Sequence, residues 1–177
     1  MKKVYIVLTY TGTILSWIVK NYTRKEYSHV SISLDENLNE MYSFGRLYAY
    51  NPFLGGFVKE DIDHGTFKRF NKRIKTKIYS LEVTEDQYLK MKKTIEDISN
   101  NREKYHFNVL GLAAVVFHMK LKREKCFYCA EFVKYVLDNS QLEINLPEVI
   151  KPYHFERVKG IKEVYKGKLI EYKDDLN

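Results

Sequence analysis

Val4-Tyr5-Ile6-Val7-Leu8 is an unbroken apolar run, the pattern of a buried strand. Gly12 breaks it, and Ile14, Leu15, Ile18 and Val19 then recur at helical spacing to about Tyr22. From Tyr27 to Leu34 the chain alternates. Val30, Ile32 and Leu34 fall on one face and His29, Ser31 and Ser33 on the other, which predicts a half-buried strand. Asp35-Glu36-Asn37 suits a three-residue hairpin loop with Asn37 in the left-handed position, so residues 38–44 should return as the partner strand. Residues 45–56, with Asn51-Pro52 and Gly55-Gly56, read as a loop, and 58–70 as irregular chain with short extended pieces.

Residues 77–83 alternate again and predict a strand. Thr84 and Gln87 form a capping-box pair that opens a helix with Tyr88, Met91, Ile95 and Ile98 inward, ended by Asn100-Asn101. The apolar stretch 109–117 predicts a short buried helix. Near the end, residues 163–165 and 169–172 flank Lys166-Gly167-Lys168 and read as a hairpin. No internal repeat or linker divides the chain, so residues 1–177 are expected to form one domain. Strands segregate from helices, which predicts an α+β fold with an antiparallel sheet packed against helices.

The most chemically suggestive stretch follows Lys122-Arg123-Glu124-Lys125. After Cys129, apolar residues recur at Phe132, Val133, Val136 and Leu137, one buried face of a helix that should begin near Tyr128 or Cys129. A thiol in a first turn feels unpaired backbone N–H groups and the positive end of the helix dipole, both of which favour thiolate. The plainer reading is a small packing residue.

His29 changes that balance. On a strand face cleared by small serines, an imidazole can hold a thiolate as an ion pair and later protonate a leaving group. Such a histidine needs a polar partner to fix its orientation. With Asp35-Glu36-Asn37 as the loop, His29 faces Ser43; a one-residue change of register brings Glu40 to that face instead. Ser43 and Glu40 are the two candidates. Cys126 makes a Cys-x-x-Cys pair with Cys129, but the bulky Phe127-Tyr128 between them and the missing βαβ context argue against redox use. His106, His118 and His154 complete no zinc site by spacing. No cofactor or metal is expected.

Charge adds one alternative. The net charge is +7 among 177 residues, and positive residues concentrate in Lys68-Arg69-Phe70-Asn71-Lys72-Arg73-Ile74-Lys75-Thr76-Lys77. That run could meet nucleic acid or anionic lipid, although a solvated loop and strand edge is the expected reading, and no nucleic-acid partner is expected. The longest apolar run, 109–117, is far short of the ~20 residues of a membrane span, and Thr9, Tyr10, Thr11 and Thr13 interrupt the apolar start. With two cysteines too close for a disulfide framework, the expected compartment is the cytoplasm.

Ser28-His29-Val30-Ser31-Ile32, a hairpin after it, and a late aromatic-Cys-x-Glu-Phe-Val helix at 128–133 resemble the circularly permuted NlpC-type papain-like proteins. These include YiiX-like bacterial proteins and the lecithin retinol acyltransferase group. Histidine precedes cysteine here, as in that permuted branch, and the likeness covers about Val4 through Leu137. The resemblance implies a papain-like fold and cleavage or transfer of an acyl group through a Cys129 thioester, with His29 as base and then acid. Its substrate would be a peptide, amide or lipid ester. It also implies a structural role for Pro152-Tyr153-His154-Phe155. The chain departs from relatives at the third polar position, where they often carry Glu or His after the hairpin. A non-catalytic binding module for a lipid or peptide is the alternative, and oligomeric state is left open.

Overall fold

The protein is described from a computed structural model covering residues 1–11, 20–22, 24–48, 51–70, 73–116, 119, 121 and 123–175. A six-stranded antiparallel sheet organises it. Its strands are β1 (Lys2–Tyr10), β2 (His29–Ser33), β3 (Met41–Tyr48), β4 (Asn51–Glu60), β5 (Lys75–Val83) and, after two short parallel strands, β8 (Lys162–Lys168). They lie in the order β4-β3-β2-β1-β5-β8. The short pair is β6 (His106–Phe107) and β7 (Cys126–Phe127). The helices are α1 (Gly65–Phe70), α2 (Glu85–Asn100), α3 (Val109–Val116), α4 (Cys129–Asn139) and α5 (Leu169–Asp175), with a 3-10 segment over Pro152–Arg157.

Strand alternation sends apolar side chains to both faces. Val4, Ile6, Leu8, Val30, Ile32, Phe44, Tyr79, Leu81 and Val83 form one core with the inward faces of α2 and α4. Tyr5, Val7, Met41 and Ile78 form a second core, joined by Phe67 of α1 and by Leu169 and Tyr172 of α5. β2 is therefore covered on both sides. Its serines are not solvent-facing: Ser31 and Ser33 are fully buried. The expected capping box of α2 is present, with Thr84 Oγ1 accepting from Gln87 N at 3.2 Å and Gln87 Oε1 accepting from Thr84 N at 2.9 Å. Met91, Ile95 and Ile98 are its buried residues.

Four expectations are corrected. The β2–β3 loop is wider than three residues: Leu34 N donates to Glu40 O at 3.1 Å, and Asp35 carboxylate oxygens accept from Asn39 N and Glu40 N. Leu38, not Asn37, takes positive φ (58°), a strained choice for a leucine that its burial in the second core offsets. Residues 45–48 and 51–56 are not loop but belong to the paired strands β3 and β4. A Cβ on Gly55 would lie 2.6 Å from Phe107 Cγ, so this glycine marks a close approach inside a sheet instead of a turn. Residues 65–70, expected to be irregular, form α1. Finally, Lys166-Gly167-Lys168 is not a turn: β8 pairs with β5 through Lys168, and the chain continues as α5, pinned by Leu169 N donating to Ile74 O at 3.0 Å. The helical spacing over 12–19 lies outside the described residues, although residues 20–22 are helical.

The basic run is divided among different tasks. Lys68 and Arg69 end α1, whereas Lys75 and Lys77 belong to β5, an interior strand. Lys77 pairs with Glu156 at 3.2 Å and Glu163 at 3.1 Å, and Lys75 with Glu26 at 3.2 Å. Among the described residues, no helix is long and apolar enough to cross a membrane.

Candidate active site

Cys129 is the first residue of α4, and the approach to it is fixed by polar contacts. Glu131 Oε2 accepts from the Tyr128 backbone N–H at 3.2 Å, closing the first turn, and from Asn108 Nδ2 at 3.2 Å. Asn108 is fully buried just before α3, where its Oδ1 accepts from Gly111 N at 2.9 Å and its Nδ2 also donates to Leu121 O at 3.2 Å. A side chain at position 111 would collide with that amide, since a Cβ there would lie 2.1 Å from Asn108 Nδ2. The Tyr128 hydroxyl donates to Ile150 O at 2.9 Å. Burial, Glu131 and Cys129 all hold that phenol far above its ordinary pKa, so it remains a donor. Asn108, Glu131 and Ile150 thus hold the backbone that presents the thiol.

His29 begins β2, against which α4 packs. β2 pairs with β3 at Ile32–Tyr42 and Ser33–Met41. Beyond those pairs the Val30 carbonyl accepts from the Ser43 hydroxyl at 2.8 Å, so His29 stands where the strands part. Its neighbour there is the bare Gly45, on which a Cβ would lie 3.6 Å from the ring carbon Cε1.

A carboxylate holds the imidazole. His29 Nε2 donates to Glu60 Oε1 at 2.8 Å, and the second oxygen of Glu60 accepts from the Ser31 hydroxyl. The His29 and Glu60 side chains are 19% and 11% exposed, so water screens this pair weakly. The Cys129 side chain is near enough to the imidazole to favour its charged form. With Nε2 committed to Glu60, Nδ1 is the nitrogen left for the thiol. Burial alone would pull the His29 pKa down, but the Glu60 charge, and then the hydrogen bond and charge of Cys129, outweigh it and push it up to about 10. At neutral pH the ring is an imidazolium held by the Glu60 carboxylate.

The structure thus brings Cys129 and His29 together, and neither expected third residue joins them. Ser43 is buried and its hydroxyl is committed to the Val30 carbonyl. Glu40 belongs to the loop, where its charge raises the pKa values of the part-buried phenols Tyr42 and Tyr88 after burial itself. The physical reason is register. The wider loop places Ser33 opposite Met41 and Met41 opposite Glu60, so Glu60 comes from the next strand on the same sheet face as His29 and Ser31. Glu60 and Ser31 lie outside the expected set because Gly55-Gly56 reads as a breaker, and Phe57-Val58 followed by Lys59-Glu60 carries no alternation that would reveal the strand.

Cys126 is buried in β7, paired with His106 in the β6–β7 ladder. No group of His, Cys, Asp and Glu among the described residues could hold a metal ion. Tyr10 ends β1, the strand that pairs with β2, and Thr11 follows it; the Lys20 ammonium lies 4.5 Å from the Tyr10 ring centroid. Compared with models of known protein families and with curated proteins, the chain matches none.

Proposed function

We propose that the protein is a permuted papain-like cysteine hydrolase or acyltransferase. The observation that carries this reading is a cysteine at a helix start beside an imidazole that a buried carboxylate orients. Cys129 Sγ, in the thiolate form paired with the His29 imidazolium, attacks the substrate carbonyl carbon; a C–S bond forms and the C=O π electrons move to oxygen. The tetrahedral oxyanion develops beside the Cys129 backbone N–H, which has no acceptor inside the helix. As the C–N or C–O bond breaks, the imidazolium of His29 gives its Nδ1 proton to the leaving amine or alkoxide. Water then attacks the thioester, losing a proton to His29; the C–S bond breaks, the acid leaves, and the thiolate–imidazolium pair is regenerated. An amine or alcohol in place of water makes the reaction a transfer.

The high pKa of His29 modifies the expected order of roles. An imidazole already protonated at neutral pH acts first as the acid and as the counter-ion of the sulfur, and becomes a base only after losing its proton to the leaving group. Glu60 orients the ring, and Ser31 fixes Glu60. The test is to mix the protein with an activated 4-nitrophenyl ester, quench, and locate the acyl group by mass spectrometry. The expected adduct is on Cys129; nitrophenol release without acylation of Cys129 would reject the thioester.

A further inference from the structure

α3 breaks the rule that a surface helix turns polar side chains to water. Its eight residues, 109–116, include no polar or charged one. A helix that is apolar all round belongs in a core or against lipid. Gly111 and Val115 are buried, but Leu110 is 57% exposed. The chain that follows enlarges the apolar surface. Met119 N donates to Ala114 O at 3.0 Å, and Leu121 O accepts from Asn108 Nδ2 at 3.2 Å, so both residues lie along the helix, beside Gly111 and Val115. Their side chains are 62% and 41% exposed. Three of the seven large apolar side chains exposed among the described residues therefore share this helix and the chain folded onto it.

Charge around the patch is predominantly positive. Residues 102–125 hold Arg102, Lys104, Lys120, Lys122, Arg123 and Lys125 against Glu103 and Glu124. That surplus of four is more than half of the net +7 of the whole chain. The two ends of the segment meet where β6 pairs with β7. His106 N donates to Lys125 O at 2.9 Å, which brings the stretch holding Arg102 and Lys104 beside the one holding Arg123 and Lys125. These four are exposed, and among the described residues none of them is in an ion pair. Two acids line the cleft beside Met119: Glu148, and Glu131, which is bonded inward to Asn108 and the Tyr128 N–H.

We propose that α3, Met119 and Leu121 form a docking surface for an anionic lipid bilayer, with the flanking lysines and arginines on the lipid phosphates. Eight residues of helix rise about 12 Å, against a bilayer core of about 30 Å, so α3 lies in the headgroup region and does not cross the membrane. Apolar insertion and phosphate attraction act together, since either alone gives marginal binding. A second copy of the chain is the poorer occupant, because it would set two basic surfaces against each other. Docking of this kind is independent of the chemistry at Cys129.

The test is sedimentation of the intact protein with vesicles of phosphatidylcholine alone and of phosphatidylcholine mixed with phosphatidylglycerol. The protein should bind the mixed vesicles, less so as salt is added, and leave the neutral ones almost bare. Each cation at such a surface contributes about fivefold to partitioning, so Arg123→Gln with Lys125→Gln should lower it about 25-fold. Leu110→Ser should lower it about tenfold. Met119→Ser, at a similarly exposed position, repeats that reading should the first variant not fold, and melting curves identify the native variants. No binding to the mixed vesicles overturns the proposal, as does equal binding to the neutral ones. Binding that both Leu110→Ser and Met119→Ser leave unchanged would be attraction of charge without docking of the helix, and overturns it too. Dimers in solution that Leu110→Ser dissociates, with no binding to vesicles, would give the face to a second copy instead.

Discussion

His29 Nε2 and Glu60 Oε1 meet at 2.8 Å across 31 residues of chain, and Ser31 engages the other oxygen of the same carboxylate. One acid therefore holds both an imidazolium and a hydroxyl from adjacent inward positions of β2. Because the folded His29 pKa is raised from 6.5 to about 10, the protonated ring stabilises the fold. That contribution is fully present below about 6.5 and is lost as pH rises through about 10. Glu60→Gln keeps a hydrogen-bond acceptor but removes the charge, so the His29 pKa should fall. The alkaline limb of the pH–rate profile should move from near 10 toward neutrality, and the melting temperature should begin to drop at lower pH than in the wild type. An alkaline limb that stays in place would exclude Glu60 as the group that holds the ring protonated.

Ser31→Ala provides a milder perturbation of the same pair. It leaves one Glu60 oxygen without its hydroxyl donor, and a hydrogen bond to a charged group contributes about 1.5–3 kcal/mol. The expected outcome is a lower melting temperature and a reduced kcat with little change in KM, since Ser31 acts through Glu60. A changed KM with unchanged kcat would instead place Ser31 in substrate binding.

The two cysteines are a built-in control for reactivity. Cys126 and Cys129 are 7% and 8% exposed, so access alone gives no reason for one to react faster. Cys129, however, lies beside the charged His29 imidazole. Iodoacetamide should label Cys129 first at neutral pH, and His29→Ala should remove most of the difference. Peptide mapping after partial labelling reads this directly; equal labelling in the wild type would reduce Cys129 to a packing residue.

The joint between α3 and α4 can be tested without touching the reacting groups. Gly111→Ala drives a methyl group into the Asn108 amide, which at once caps α3, holds Leu121 O and binds Glu131. Overpacking of this kind costs about 1–3 kcal/mol. Asn108→Ala should lose a similar amount, about 1–2 kcal/mol from the cap. In the double variant the losses should not add, because both break one network. Additive melting shifts would mean that the glycine matters for some other reason.

The sequence made the two outer links of the site legible and hid the middle one. Cys129 and His29 stand on elements whose periodicity is strong: α4 buries Phe132, Val133, Val136 and Leu137, and β2 sets Val30 and Ile32 against its serines. Glu60 was hidden by two physical facts. Register depends on a loop whose width is set by the Asp35 side chain, and turn propensity does not reveal that capping. The glycines of β4 look like breakers, yet at Gly55 the small residue is demanded by Phe107 packing from another element. Both are long-range effects that local pattern does not contain. The end of the chain failed similarly: β5 extends pairing through Lys168, overriding the turn signal of Lys166-Gly167-Lys168.

The final prediction separates a nucleophile from a packing cysteine. Cys129→Ser replaces the thiol by a hydroxyl, which in an apolar site would cost roughly 1–3 kcal/mol unless bonded. Here the imidazole of His29 is at hand as a partner, so melting should scarcely change. Turnover of an activated acyl ester should nevertheless disappear, because a serine is a far weaker nucleophile at neutral pH without a strong base, and His29 is already protonated. His29→Ala should remove turnover as well, by leaving the sulfur without its counter-ion and the leaving group without its acid. Since the two residues act as one unit, the double variant should be little worse than either single one. The measurement is ester hydrolysis and a melting curve for the wild type, both single variants and the double. Hydrolysis that survives both single changes would assign the activity to some other group and favour a binding module built on the same sheet.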